Sequence, residues 1–293
     1  MKNDIALVLS GGGARGIAHI GVIEVLEEKG YNIKSIAGTS MGAVVGGIYA
    51  LGKIEAFKEW LFKLDRAAVF RLVDFTIGGG AGFVKGEKVL NTIKDFTQDA
   101  EIENLKLPFC AVATNIDLQN EVVFSEGNLF DALRASISIP TVFTPVKTEN
   151  GHLVDGGILN NLPLDHVKRH SGDLLVAVNV NAEIPNELPP LTEPAKQEAE
   201  KNVYQKKMEE FTEKLSSLFP ARKSNDSLGY FQLINDTINV MVNANAIQSI
   251  KYNQPDIVLR ISNKSANTFD FFKAKELYDI GRFVAEKTLE KVK

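Results

Sequence analysis

The sequence predicts an α/β fold with a mainly parallel central sheet, and two observations at the start of the chain support this. Apolar runs at residues 5–10 and 33–37 alternate with helical patterns at residues 17–30 and 41–51. This strand–helix–strand–helix order is typical of a βαβ unit, whose two strands are parallel. Residues 5–9 are continuously apolar, as expected of a strand that is buried on both faces of a sheet.

Later segments continue this pattern. Apolar runs predict further strands at residues 107–114, 121–124, 152–155, 174–180 and 256–261. The sequence also predicts helices at residues 53–64, 85–96, 128–135, 163–170, 228–250 and 271–293.

The composition changes after residue 181. Residues 185–194 are rich in proline, and residues 198–216 are charged and favour a helix. Because strands before and after this segment are expected to join one sheet, we predict a single domain, residues 1–293, with a variable helical insertion at 182–226. An apolar stripe at residues 204–218 has three interpretations: core packing, a homodimer contact, or a lid that meets lipid.

Composition narrows the classes of function. The 293 residues carry a net charge of −4, so no basic field favours nucleic acid. No window approaches the length of about 18 uncharged apolar residues that a membrane-spanning helix needs. The N-terminal residues lack the apolar core and cleavage site of a signal peptide, and the single cysteine, Cys110, excludes an internal disulfide. We therefore expect a cytoplasmic protein with a buried, unreactive thiol.

Ser40 lies between the second predicted strand and the helix after it, in the pattern Gly38-Thr39-Ser40-Met41-Gly42. A serine at such a turn is held out of the sheet, and glycines two places on either side let the backbone fold back tightly. The free N–H groups and the dipole of the helix favour developing negative charge there. The pattern indicates a nucleophile, although it also occurs in ordinary glycine-rich turns.

A second glycine run, Gly11-Gly12-Gly13-Ala14-Arg15-Gly16, follows the first strand. It has the spacing of a dinucleotide-binding loop, but no acidic residue follows the second strand to bind a ribose, so we predict no nucleotide cofactor. Successive glycines also let backbone N–H groups converge on one anion, including a transient oxyanion.

A serine nucleophile needs a base, and histidine is the usual one. The chain has four histidines, His19, His152, His166 and His170. None has the late position that an α/β-hydrolase gives its histidine. His19 lies in the first helix and is expected to be structural, and His152 is expected to face away from the site.

Two histidines suggest half of a metal site. His166 and His170 lie four residues apart on the predicted helix 163–170. The sequence shows no nearby cysteine or acidic cluster that would complete the site, so we predict no metal.

Asp155 is the remaining candidate for the base. It ends a short apolar strand and precedes Gly156 and Gly157, which would let a neighbouring backbone come close. A carboxylate is a weak base in water, but burial raises its pKa and lets it accept a proton from a serine. The same three residues also fit an ordinary turn.

Together, the three motifs resemble those of the patatin-like phospholipase family. The glycine run after the first strand, the serine pattern at 38–42 and Asp155-Gly156-Gly157 occur in the family's order, and residues 135–140 and 161–163 are also similar. The resemblance covers residues 4–181, fades over 182–226 and returns weakly towards the C-terminus. It implies a three-layer α/β/α sandwich that hydrolyses lipid acyl esters with a Ser-Asp dyad.

The resemblance also implies a role for each site residue. Ser40 would be the nucleophile and Asp155 the general base. Four backbone N–H groups would form the oxyanion hole: those of Gly11, Gly12, Gly13 and Met41. Arg15 would support the hole, either by orienting the glycines or by adding positive charge.

The expected partner is a lipid or acyl-ester substrate, with transient contact to a membrane surface and without cofactor, metal or nucleic acid. Two alternatives remain open at this point. The same dyad would serve an acyltransferase, and the same fold would serve a non-catalytic regulatory protein.

Overall fold

A computed structural model describes residues 3–72, 85–186 and 230–292, with the backbone alone for residues 230–232. The chain divides into two compact units, one formed by residues 1–187 with 241–293 and the other by residues 188–240. The stripe at 204–218 and most of the predicted insertion lie outside the described residues. The single domain with its insertion therefore stays a prediction.

The described residues form eight strands and eight α-helices. The strands are β1 (Asp4–Leu9), β2 (Asn32–Thr39), β3 (Phe109–Asn115), β4 (Asn120–Phe124), β5 (Val146–Thr148), β6 (Gly151–Asp155), β7 (Leu174–Ala182) and β8 (Ile257–Ser262). The α-helices are α1 (Ala18–Glu28), α2 (Met41–Leu51), α3 (Ile54–Phe62), α4 (Arg66–Arg71), α5 (Glu87–Thr97), α6 (Leu129–Ser136), α7 (Tyr230–Asn253) and α8 (Ala274–Leu289). Short 3-10 helices cover Gly13–Ile17, Ile102–Asn104, Gly156–Ile158 and Phe271–Lys273. Of the described helices, none is long and apolar enough to span a membrane.

The eight described strands form one sheet in the order β5-β6-β3-β2-β1-β7-β8, and β4 also pairs with β3. The five strands β3, β2, β1, β7 and β8 run parallel to one another. The other three strands, β4, β5 and β6, pair antiparallel near β3. The mainly parallel sheet predicted from the apolar runs is confirmed.

Helices cover both faces of this sheet. On one face α2 packs closely at Gly46, beside Leu9 and Ile36, and α1 packs against α8. On the other face, α7 and the turns after β6 cover small and apolar side chains of four strands. That cluster comprises Ala6, Val8, Ala37, Cys110, Leu175 and Ala177 of the sheet, with Leu162, Leu164, Val167 and Ala246 above them. The result is a three-layer α/β/α sandwich.

The ends of β2 and β6 meet beside β3. Val112 of β3 pairs with Thr39, the last residue of β2, and Ala113 pairs with Asp155, the last residue of β6. β4 pairs along one edge of β3, so β2 and β6 both pair along the other edge. There β2 pairs with the first part of β3, and β6, which runs in the opposite direction, pairs with the last part. Ser40 follows one strand end and Asp155 forms the other, so the pairing brings the two residues to one place.

The predicted helix at residues 163–170 is wrong, because this segment forms turns. Leu164 in this segment and Leu162 just before it are both buried, and residues two positions apart do not lie on one face of a helix. The end of the segment is fixed by Asp173, whose Oδ2 accepts a hydrogen bond from the His170 backbone N–H at 2.8 Å.

Candidate active site

Ser40 occupies a sharp turn between β2 and α2. Its backbone has φ 54° and ψ −126°, a conformation that non-glycine residues rarely adopt and that is a sign of strain at functional turns. Gly42 lets α2 approach the sheet closely after this turn, since a Cβ there would lie 2.3 Å from the Leu9 carbonyl oxygen. The Ser40 N–H donates to Ser136 Oγ at 2.8 Å, and Ser136 Oγ donates to the Val112 carbonyl at 2.7 Å. These contacts tie the serine turn to β3.

Asp155 lies at the end of β6, where the 3-10 helix Gly156–Ile158 begins. Its Oδ1 accepts a hydrogen bond from the Gly157 N–H at 2.8 Å. Gly156 lets this turn pack onto β3, since a Cβ there would lie 2.2 Å from the Val112 carbonyl oxygen. The Ser40 side chain lies close enough to the carboxylate to lower its pKa. The structure thus brings the predicted nucleophile and base together.

Burial dominates the electrostatics of Asp155. The side chain is almost inaccessible to solvent, and loss of solvation raises its pKa to about 6, while hydrogen bonds from Ser40 and the Gly157 N–H act in the opposite direction. A carboxylate with this pKa is ionised at neutral pH but is a stronger base than an exposed aspartate.

The glycine run lies against the same turn. A Cβ at Gly11 would be 3.0 Å from Ser40 Cβ, so the two backbones are in contact. Gly12 caps the 3-10 helix that starts at Gly13, and Met41 starts α2. Within the described ranges we find no hydrogen-bond acceptor for the N–H groups of Gly12, Gly13 and Met41, as is usual for the first donors of a helix. These three donors fit the predicted oxyanion hole, whereas the Gly11 N–H is already bonded to the Asn161 carbonyl at 3.1 Å.

Arg15 points its guanidinium into the protein. Its Nε donates to the Val180 carbonyl at 3.2 Å, Nη1 to the Ala266 carbonyl at 3.0 Å, and Nη2 to Asn181 Oδ1 at 2.8 Å. The side chain is only 8% exposed. Of the two roles that the sequence left open, these contacts favour orientation of the glycine run over direct attraction of a substrate.

The four histidines are all among the described residues, and the ring contacts of each lead away from Ser40. The buried His19 donates from Nε2 to the Ser10 carbonyl at 2.8 Å, and burial lowers its pKa to about 4, so it is neutral at pH 7. His152 Nδ1 contacts Asp117 Oδ2 at 2.8 Å, and His170 Nδ1 lies 3.9 Å from Asp173 Oδ2.

The fourth histidine corrects one expectation. His166 Nε2 contacts Glu121 Oε2 at 2.7 Å, and Asp165 is also adjacent, so the sequence-based statement that no acidic cluster lies near this histidine is wrong. Potential ligand atoms of these three residues all lie within 4.8 Å of one another. The Asn160 amide donates to both carboxylates, at 3.0 and 2.9 Å, and so already satisfies them in part. The absence of a metal stays a prediction.

Three residues around the site were not assigned a role from the sequence. Ser136 anchors the Ser40 turn, while Asn161 and Asn181 hold Gly11 from its two sides, the first through its backbone carbonyl and the second through its side chain. Ser136 and Asn161 lie in segments whose resemblance to the family gave no role. For Asn181 the signal was a polar residue at the end of a buried strand, which alone does not say what it contacts.

Comparison with known proteins now supplies the family. The model for the patatin-like phospholipase family matches residues 7–168, a range that contains the glycine run, Ser40 and Asp155. The chain belongs to the patatin-like phospholipase family. The family expected from the three motifs is therefore confirmed, and the observed three-layer fold is consistent with it.

Relatives differ in how much of their length corresponds to this chain. An uncharacterized NTE family protein of Mycobacterium tuberculosis is 32% identical over 98% of this chain and 91% of its own length. A lysophospholipase of Aspergillus fumigatus is 36% identical over 61% of this chain, but the match spans only 12% of that protein. The solved structure of VipD from Legionella pneumophila has a TM-score of 0.46 and 16% identity over 97% of this chain and 67% of that chain, and nothing about function follows from it.

Replacement of Asp155 by asparagine is expected to stabilise the fold at neutral pH. The folded-state pKa of about 6 exceeds the ordinary 3.8. Below pH 3.8 the carboxyl is protonated in both states and does not reduce the stability of the fold, whereas above about pH 6 it is ionised and reduces the stability by the full amount. A shift of roughly two units corresponds to about 3 kcal/mol. Urea unfolding of both proteins between pH 4 and 7.5 measures this. The difference in unfolding free energy should grow in favour of the variant by about this amount, and a difference independent of pH would contradict the assigned pKa.

Proposed function

We propose that this protein is a serine hydrolase that cleaves acyl esters of lipids through an acyl-Ser40 intermediate. The observation that carries the proposal is the meeting of two strand ends, which puts Ser40 beside a buried carboxylate with a pKa near 6. Membership of the patatin-like phospholipase family and the lysophospholipase among the relatives support a lipid substrate.

In the first step, Ser40 Oγ attacks the carbonyl carbon of the ester while Asp155 accepts the hydroxyl proton. The carbonyl oxygen becomes an oxyanion, and the free N–H groups of Gly12, Gly13 and Met41 are the donors available to stabilise it. Collapse of the tetrahedral intermediate breaks the bond to the alcohol oxygen, which takes the proton from Asp155 as it leaves. The acyl group remains on Ser40.

The second step reverses these roles with water as the nucleophile. Asp155 accepts a proton from the attacking water, and the same N–H groups hold the second oxyanion. Collapse breaks the bond to Ser40 Oγ, which regains its proton, and the fatty acid is released. One carboxylate thus serves as base and acid in both halves of the cycle, which a pKa close to neutrality favours.

The substrate proposal predicts release of a free fatty acid from monoacyl, diacyl or neutral lipids, fastest from monoacyl phospholipids because a relative is named for that activity. In water enriched in oxygen-18, hydrolysis places one heavy oxygen in each released acid. Mass spectrometry of reactions with a panel of these lipids, with and without an added alcohol, measures the rate of fatty acid release and the incorporation of oxygen-18. Transfer of the acyl group to the alcohol with little free acid would instead support the acyltransferase alternative, and no turnover of any ester would support a regulatory protein.

A further inference from the structure

Gly11, next to Ser40, is held on both sides by hydrogen bonds from other elements. Its N–H donates to the Asn161 carbonyl at 3.1 Å, and its carbonyl accepts from Asn181 Nδ2 at 2.6 Å. Asn181 lies near the end of β7, 170 positions away in the sequence, and its side chain is buried. The backbone is therefore fixed at the residue before the first free N–H of the predicted oxyanion hole.

The hydrogen bond from Asn181 determines which way the next N–H points. The peptide between Gly11 and Gly12 is trans, and in a trans peptide the carbonyl and the N–H point in opposite directions. With its carbonyl turned to Asn181, this peptide directs the Gly12 N–H to the opposite side, and that N–H has no acceptor in the described ranges. Rotation of the peptide would exchange a donor for a carbonyl oxygen, which repels an oxyanion.

Glycines alone do not hold this orientation. Because Gly11 and Gly12 lack side chains, both have access to a wider range of backbone conformations than other residues. A hydrogen bond from a residue outside the loop is needed to hold the peptide, and Asn181 donates this bond to the Gly11 carbonyl.

Arg15 determines which end of the Asn181 amide faces Gly11. A guanidinium only donates hydrogen bonds, so the group that faces Arg15 Nη2 at 2.8 Å is Asn181 Oδ1. The amide nitrogen is then directed at the Gly11 carbonyl, which only accepts. Arg15 itself donates to the Val180 and Ala266 carbonyls. These contacts connect β7 and the segment after β8 to the glycine run, and every hydrogen bond among them pairs a donor with an acceptor.

We infer that Asn181 is a positioning residue for the oxyanion hole: together with Arg15, it holds the Gly11–Gly12 peptide with the Gly12 N–H towards the reacting carbonyl. This inference rests on the proposed function. It gives Arg15 an indirect role through Asn181 and adds a residue of β7 to a site otherwise built from β1, β2 and β6.

Asn181→Asp is the most direct test. The carboxylate keeps an acceptor for Arg15 but loses the donor to the Gly11 carbonyl and repels it. We expect kcat on a short-chain acyl ester to fall about 10- to 100-fold, a fraction of the loss known for removal of a whole oxyanion donor. KM should change less than about twofold, since a ground-state ester makes weaker use of the hole than the transition state does.

A matched control exists at the end of β3. Asn115 is also buried, its Nδ2 donates to the Asn150 carbonyl at 2.9 Å, and its Oδ1 accepts backbone N–H groups. Asn115→Asp therefore makes the same chemical change without touching the glycine run, and its kcat should stay within about twofold of the parent. If Asn181→Asp does not fold, Asn181→Ala removes the same donor without adding charge.

Inhibitor binding separates positioning from general damage. A trifluoromethyl ketone forms a tetrahedral adduct with the serine whose oxygen occupies the hole, so its Ki should rise in proportion to the fall in kcat/KM, while the Ki of a non-reactive amide analogue stays unchanged. A normal kcat in folded Asn181→Asp or Asn181→Ala would overturn the inference, as would equal rises in both Ki values. If the parent enzyme neither turns over esters nor binds the ketone, the proposed function itself fails, and this outcome is distinguishable from the other two.

Discussion

Replacement of Ser40 by alanine is expected to reduce acyl-ester turnover by about four to six orders of magnitude, the size of loss seen when a serine nucleophile is removed from a hydrolase. The reason is chemical, since no acyl-enzyme forms without the hydroxyl. The backbone conformation with φ 54° strains an alanine as much as a serine, so the fold should be retained. The measurement is kcat/KM on a chromogenic short-chain ester, together with the melting temperature.

Ser262→Ala is the control for the loss of a buried serine. Ser262 on β8 is as buried as Ser40, and its hydroxyl donates to the Ile184 carbonyl at 2.6 Å. This variant should lose stability but not activity per folded molecule. Turnover by Ser40→Ala within tenfold of the parent would show that the nucleophile is another group.

Asp155→Asn is expected to lower kcat/KM by about 10²- to 10⁴-fold, the usual contribution of a general base. Asparagine has nearly the same shape and its Oδ1 accepts the Gly157 hydrogen bond, but the amide does not accept a proton from Ser40. In the parent enzyme, kcat/KM should rise with pH up to about 6 and then level off, because the base is active only when ionised and its pKa is about 6. Rates measured from pH 4.5 to 8.5 test this.

Asp173→Asn is the matched control for this change. Asp173 is similarly buried and also accepts a backbone N–H, from His170 at 2.8 Å, but it lies at the start of β7, away from the serine turn. Its replacement should leave the pH profile unchanged. A variant at Asp155 that retains most of its turnover, or a parent profile without an inflection near pH 6, would show that another group is the base.

The sequence was sufficient for the parts of the site that depend on local backbone geometry. The glycines around Ser40 predicted the turn, because a close approach of helix and sheet excludes side chains at Gly42. The glycine run predicted free N–H groups by the same logic. Asp155 followed from the absence of a suitably placed histidine, and the structure places it beside Ser40.

The remaining features depend on contacts between distant parts of the chain. Nothing in the local sequence shows that β6 runs antiparallel to β3 and meets the end of β2, or that Asn181 reaches Gly11. Glu121 lies 45 positions from His166, so the acidic cluster was missed. The helix predicted at 163–170 is wrong because this segment forms turns that pack against side chains of distant strands, and the local sequence does not show those contacts.

The central claim is that Ser40 becomes acylated, and identification of the residue modified by a fluorophosphonate tests it most directly. Trypsin releases residues 35–53 as one peptide, which contains Ser35 as well as Ser40. Fragment-ion spectra should place the adduct on Ser40, with one label per chain, and Ser40→Ala should not be labelled. An adduct on Ser35 or on any other residue, or labelling that persists in Ser40→Ala, would contradict the account.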